Sequence, residues 1–136
     1  MDLLVNLDVP DLARAETLYV AAFGLTAGRR FGDAVVELLG LPARLYLLHK
    51  PAGRLGAGAT PRAYTRHWCP VHLDVVVEDL DAALARAERA GFVREGVVRD
   101  AAWGRIVQLA DPFGHGWCLI QFSARGYDAI ATRDQG

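Results

Sequence analysis

Cysteine is scarce in this 136-residue chain: Cys69 and Cys118 are the only two, far apart and in no CxxC arrangement. That argues against a secreted disulfide scaffold, and free thiols are expected. Lysine is scarcer still, since Lys50 stands alone among arginines; with the abundance of alanine this reads as coding bias rather than as function. No sign of charge dominates, because 15 basic against 16 acidic residues leave a formal net charge of −1. Without a run of like charge there is nothing to hold a phosphate backbone, so nucleic acid is not expected as a partner. Long apolar runs are missing too. No stretch reaches the roughly eighteen residues of a membrane span, and MDLLVNLDVPD at the amino end shows no basic segment followed by an apolar core. A cytoplasmic protein with no membrane partner is the expectation.

What the chain does have is a repeat. The stretch 6-NLDV-9 returns as 72-HLDV-75, and the DL at 11–12 returns at 79–80. The offset drifts by two residues between these matches, which preserves strand parity, so Asn6 and His72 occupy equivalent faces of equivalent strands. A helical pattern follows each strand. Leu12, Ala15, Leu18, Tyr19 and Ala22 recur at three- and four-residue steps between a capping Asp11 and a terminating Gly24; Leu80, Ala83, Leu84 and Ala87 do so between Asp79 and Gly91. Each helix leads into three short strands. The first set is predicted near residues 27–30, 34–39 and 44–49, the second near 93–99, 104–109 and 117–122, with 111-DPFGHG-116 as the last turn.

The predicted unit is therefore βαβββ, used twice. The fold class is α+β, with curved mixed sheets and helices on their outer faces. Residues 1–50 form the first module and residues 71–122 the second. Residues 51–70 begin as a Gly/Ala/Pro linker, but RAYTRHW carries too many aromatic and basic groups for a spacer, so Tyr64, His67 and Trp68 are candidates for a lid over a pocket. Residues 123–136 are a tail, read as a short helical turn followed by a frayed end.

Two βαβββ units, a DL opening each helix and the closing DPFGHGWCLIQF resemble the vicinal-oxygen-chelate superfamily, which includes glyoxalases, bleomycin-resistance proteins and extradiol dioxygenases. The resemblance spans roughly Leu3 to Phe122. It implies a bowl formed by the curved sheets, a homodimer, and, in members that are enzymes, one divalent metal held from the first and last strands of each module. The glyoxalase I pattern of His or Gln, Glu, His and Glu falls here on Leu4, near Tyr46, on His72 and on Cys118. Only His72 is a ligand of the expected kind, so no resident metal is expected; if one binds, His72 is its anchor. Without carboxylates a hard octahedral ion lacks its preferred donors.

The resemblance thus implies a protein that binds a small organic molecule in the bowl, in the manner of the bleomycin-resistance branch, with no cofactor. The alternative is a lyase, isomerase or dioxygenase of the same superfamily with an atypical metal site centred on His72. A third possibility is a module whose pocket is vestigial. The pocket residues expected are Asn6, Tyr46, His72, Asp74 and Cys118, with the first module's pair facing the second's. His72 and Asp74 share a strand face and read either as a hydrogen-bonded relic or as the polar anchor of a ligand. Trp103 and Trp117 read as packing residues, Arg105 as a surface charge, and His115 as part of its turn.

Overall fold

The computed structural model describes residues 1–132. The first module runs β1 (Leu4–Val9), α1 (Leu12–Phe23), β2 (Thr26–Phe31), β3 (Val35–Leu39) and β4 (Arg44–His49); the second runs β5 (Leu73–Val76), α2 (Leu80–Ala90), β6 (Val93–Arg94), β7 (Arg99–Ala101), β8 (Gly104–Ala110) and β9 (Gly116–Phe122). A 3-10 turn at Gly126–Ala129 follows. It matches the helical turn expected in the tail, whose last residues, 133–136, lie outside the described residues.

Both helices start and stop where the sequence says they should. Asp11 accepts from Arg14 N at 3.1 Å and Asp79 from Ala82 N at 3.1 Å, so each satisfies one amide that the first helical turn leaves open. Gly24 ends α1 at φ 65 and Gly91 ends α2 at φ 127, both positive.

The strands order as β1-β4-β3-β2 and β5-β9-β8-β6, with β7 also pairing β8. In each module the first strand runs parallel to the last and stands at a sheet end. Two differences from the sequence reading matter. The strand expected over 93–99 is two strands: Glu95 N still donates to Gln108 O at 2.9 Å, then the chain leaves β8 through Gly96 and rejoins it at Arg99 opposite Ile106. The strand expected from Val71 begins at Leu73, leaving His72 just outside the ladder; Pro70, which has no amide hydrogen, precedes it.

A single apolar core joins the modules. Leu7, Val9, Leu45 and Leu47 from the first sheet meet Leu109 and Leu119 from the second, with the apolar stripes of both helices between them. The helices pack against one another as well as on their sheets. Tyr19, Phe23, Phe92 and Trp117 form its aromatic centre, with ring centroids 5.2–6.4 Å apart. Trp117 is thus the packing residue the sequence implied, and Trp103 packs edge-on to Phe122 beside Tyr127. Because side chains alternate along a strand, the opposite face of each sheet is left to carry the chemistry.

Candidate functional site

On the first sheet, Asn6 pairs with Tyr46 and Tyr46 with Glu37 across β1, β4 and β3, so these three side chains share the face turned away from the core. Glu37 is only 3% exposed. Its carboxylate accepts from Arg29 Nη2 at 2.7 Å, from Arg29 Nε at 3.2 Å and from the Tyr46 hydroxyl at 2.8 Å. Arg29 reaches it through an irregularity in the β2–β3 register between Ala27 and Arg30. Gly28 makes the room, because a Cβ there would meet Glu37 Oε1 at 2.6 Å. The hydrogen bond from Arg29 first, then that from Tyr46, holds the Glu37 carboxyl down at about 2, outweighing the opposing effect of burial. Glu37 in turn raises the pKa of the Arg29 guanidinium. Phe31 stacks on Tyr46 at 6.5 Å, and the Arg29 guanidinium lies 5.6 Å from the Phe31 ring centre. Arg29, Phe31 and Glu37 were not among the residues expected. A lone acid in V-V-E-L-L on Tyr46's face was the available signal for Glu37; nothing in the sequence announced the irregularity that brings Arg29 to it.

The second sheet repeats the arrangement with different chemistry. Asp74 pairs with Cys118 and Cys118 with Gln108 across β5, β9 and β8. Cys118 is buried, and burial first, then the charge of Asp74, pushes its thiol up to about 11. The segment between the modules crosses this face. Arg66 donates to Glu95 through Nε at 2.9 Å and Nη2 at 3.0 Å, and its guanidinium lies over Gly116. Beneath is a cleft of about 160 Å³ lined in part by Arg66, Trp68, Cys69, His72, Glu95 and Cys118. Of the three residues expected as a lid, Trp68 lines this cleft while remaining 77% exposed, Tyr64 packs on the core and donates its hydroxyl to Lys50 O at 2.5 Å, and His67 faces other cavities.

The five expected pocket residues therefore fall into two groups. Asn6 and Tyr46 are neighbours on one sheet; Asp74 and Cys118 are neighbours on the other, with His72 sharing the Cys118 cleft. Within one chain the groups do not face each other, because β1 and β5 end separate sheets and the shared core lies behind both faces. The four positions at which the resemblance places metal ligands are divided likewise. Among the described residues no three His, Cys, Asp or Glu gather where they could hold an ion, so this donor set does not fit a divalent centre built within one chain.

The DPFGHG turn holds more than turn geometry. Asp111 is buried, and its carboxylate accepts from Phe113 N at 2.8 Å, His115 N at 3.1 Å, His115 Nδ1 at 2.8 Å, Trp117 Nε1 at 3.0 Å and the Tyr19 hydroxyl. Burial pushes its pKa up, but the bonds from His115, Tyr19 and Trp117 win and hold it below the usual aspartate range. Burial, with the Asp111 charge, raises the pKa of Tyr19.

Comparison with known proteins agrees with this geometry. The pattern of the glyoxalase-like domain matches residues 4–120. The chain belongs to the glyoxalase-like domain family. An uncharacterized protein of Mycobacterium bovis is 31% identical over 121 residues, which cover 85% of this chain and 80% of that one. Among solved structures, the lactoylglutathione lyase of Agrobacterium tumefaciens superposes with a TM-score of 0.63 at 22% identity, over 89% of this chain and 92% of its own. TnmS3, an antibiotic binding protein from a Streptomyces species, gives 0.61 at 23% identity, over 90% and 98%. An enzyme and a binding protein thus share this fold, which does not choose between their activities; the glyoxalase-like match over residues 4–120 places the chain in the vicinal-oxygen-chelate superfamily. Among the described residues no helix is long and apolar enough to cross a membrane.

Proposed function

We infer that this glyoxalase-like protein binds a small organic molecule, without a resident metal, in the space enclosed when the outward face of one sheet meets the outward face of the other in a second copy. The observation that carries this is the build of the first face. Glu37 is buried on the side away from the core and fixes the Arg29 guanidinium and the Tyr46 phenol beside Phe31. Burying a carboxylate there does nothing for core packing and carries a desolvation cost. It produces instead an aromatic wall with a few fixed polar groups, the composition of a ligand site. The second face adds Asp74, Gln108 and Cys118, with His72 beside them. Its cleft of about 160 Å³ is smaller than the roughly 300 Å³ at which ligand pockets begin, so a ligand needs both faces. The fold's use by an antibiotic binding protein and by a lyase supports a small-molecule ligand of either kind.

A thermal-shift screen of metabolites and antibiotics, repeated on His72→Ala and Tyr46→Phe, tests this reading. Losing a buried polar contact costs about 1–3 kcal/mol, so the best ligand is expected to bind each variant roughly five- to a hundredfold more weakly. Folded variants that bind as tightly as the parent refute the site. Leu4 and Tyr46 offer nothing to a hard divalent ion, so elemental analysis of protein purified without added metal is expected to find far less than one equivalent per chain. A stoichiometric metal that disappears in His72→Ala establishes the lyase or isomerase alternative instead.

A further inference from the structure

The reading above leaves His115 and the space around it unused. Between β1 and the start of β5 lies a cavity of about 300 Å³. Val5, Leu7, Leu73 and Trp117 wall it, and its polar groups include Asn6, His67, Cys69 and His115. His67 comes from the crossing segment, which is seated directly on the DPFGHG turn: a Cβ on Gly114 would meet Tyr64 O and Thr65 O at 2.9 Å. At His67, Gly114 and His115 the cavity adjoins a wider cleft of about 460 Å³ that also touches Asp8, Arg62 and Tyr64. Both volumes lie in the range of small-molecule sites, and the first has mainly apolar walls.

The two imidazoles are pinned by the same ring nitrogen. His115 Nδ1 is 2.8 Å from Asp111 Oδ2, and His67 Nδ1 is 3.0 Å from Thr65 O. A carbonyl only accepts, and so does the Asp111 carboxylate, which five donors keep ionised. Each Nδ1 therefore carries the hydrogen, and in the neutral ring each Nε2 keeps a lone pair. The Nδ1 edge of His115 lies against the fully buried Asp111 side chain, and the His115 side chain is a quarter exposed, which leaves the Nε2 edge uncovered by Asp111. Among the described residues the one guanidinium touching either cavity, that of Arg62, is committed to Asp8 at 2.6 Å and to Leu55 O at 2.7 Å. Among the described residues an anion finds no free cation at this cavity, only the Asn6 amide beside two imidazole lone pairs. A flat apolar molecule with a single strong O–H donor finds apolar walls, the Trp117 indole and an oriented acceptor.

We propose that this cavity is a binding site for a phenolic molecule, its ring held among Val5, Leu7, Leu73 and Trp117 and its hydroxyl donating to His115 Nε2. Asp111 is the positioning residue: it fixes the tautomer and supports positive charge on the ring as the phenolic hydrogen is shared. The site shares Asn6 with the first sheet's face and Cys69, Val71, Gly116 and Trp117 with the cleft under Arg66, but His115, its hydroxyl acceptor, belongs to neither.

The test uses 4-chlorophenol, which stays un-ionised at neutral pH, and 4-chlorotoluene, which differ by hydroxyl against a methyl of similar size, titrated into the full chain with 15N-labelled histidine. Long-range proton–nitrogen spectra are expected to show His115 as the Nδ1–H tautomer and to show its Nε2 signal moving on saturation with the phenol only. The phenol is expected to bind at least tenfold more tightly than the toluene, and His115→Gln to erase that preference. Equal affinity for the two probes, no binding of the phenol up to millimolar concentration, or a His115 Nε2 signal unmoved at saturation overturns the proposal. Should His115→Gln fold poorly, the unmutated spectra decide alone. Phenol binding that is lost in Tyr46→Phe and kept in His115→Gln also overturns it, while leaving the sheet-face reading intact.

Discussion

At the scale of single residues, the groups most heavily engaged are those hardest to see in the sequence. DPFGHG announces a turn, and a turn alone accounts for its glycines; that its aspartate is buried under five donors depends on Tyr19 arriving from α1 and on the neighbouring Trp117 turning its indole back from β9. Asp111→Asn removes the charge while keeping one acceptor, so several donors are left poorly matched in a buried place. The expected loss is about 2–4 kcal/mol in urea denaturation at neutral pH. The acid limb gives the sign. Because its pKa is lower in the folded chain, Asp111 contributes its full stabilisation above the ordinary aspartate value of about 3.9, and the contribution disappears as pH falls through the depressed folded value. Glu37 acts in the same direction between the ordinary glutamate range and about 2. The parent is therefore expected to lose stability steeply below about pH 4, and Asp111→Asn less steeply; parallel curves for the two proteins would sink this account. His72 and Asp74 attracted attention because parity puts them on one face, yet both are exposed, whereas Glu37 and Arg29 carry that kind of engagement on the first sheet.

Among the elements, what depends on neighbouring residues was legible and what depends on distant ones was not. Asp11, Asp79, Gly24 and Gly91 mark helix ends through contacts within one turn, so pattern sufficed. Asp79→Ala is expected to cost about 1 kcal/mol, as cap removals do, and an unchanged melting midpoint would count against its capping role. The break between β6 and β7 was invisible because it is set by where β8 accepts pairing, not by the apolar character of residues 93–99. The crossing segment showed its aromatic content in advance, but not that Arg66 would tie it to Glu95. That tie makes a prediction about the thiols. Cys69 is exposed on the segment, while Cys118 lies buried with its pKa pushed up to about 11, so almost none of it is thiolate at neutral pH. A disulfide reagent at pH 7.5 is expected to label one thiol rapidly and the second slowly. In a Cys69→Ser background, Glu95→Gln weakens the tie and is expected to speed Cys118 labelling several-fold; an unchanged rate means that the segment does not guard that face.

For the whole molecule, the double βαβββ plan was readable because it is written twice, and a repeat makes weak local signals agree. The relation between the two copies was not readable, since the same apolar stripes serve whether each helix covers only its own sheet or both join one core. They join one core, and both polar faces point outward. This leaves β1 and β5 as unpaired sheet ends, with Leu3 and Leu4 exposed near one and Val71 and Val76 near the other. Exposed apolar edges invite pairing with another chain. A twofold axis that sets β1 of one copy beside β5 of the next satisfies both edges at once, because the same two contacts recur on the other side of the axis. It also sets the Asn6, Tyr46 and Glu37 face of one copy across from the Asp74, Cys118 and Gln108 face of the other. Sedimentation at micromolar concentration is expected to give twice the chain mass of 14.8 kDa. Val76→Lys, which adds charge at the β5 edge, is expected to shift the population toward monomer and to weaken ligand binding in parallel. Val97→Lys, at a still more exposed valine away from both edges, is the control and is expected to do neither. A parent that sediments as a monomer, or a monomeric Val76→Lys that binds ligand undiminished, would mean that each chain completes its site alone. The two faces could then no longer be halves of one pocket.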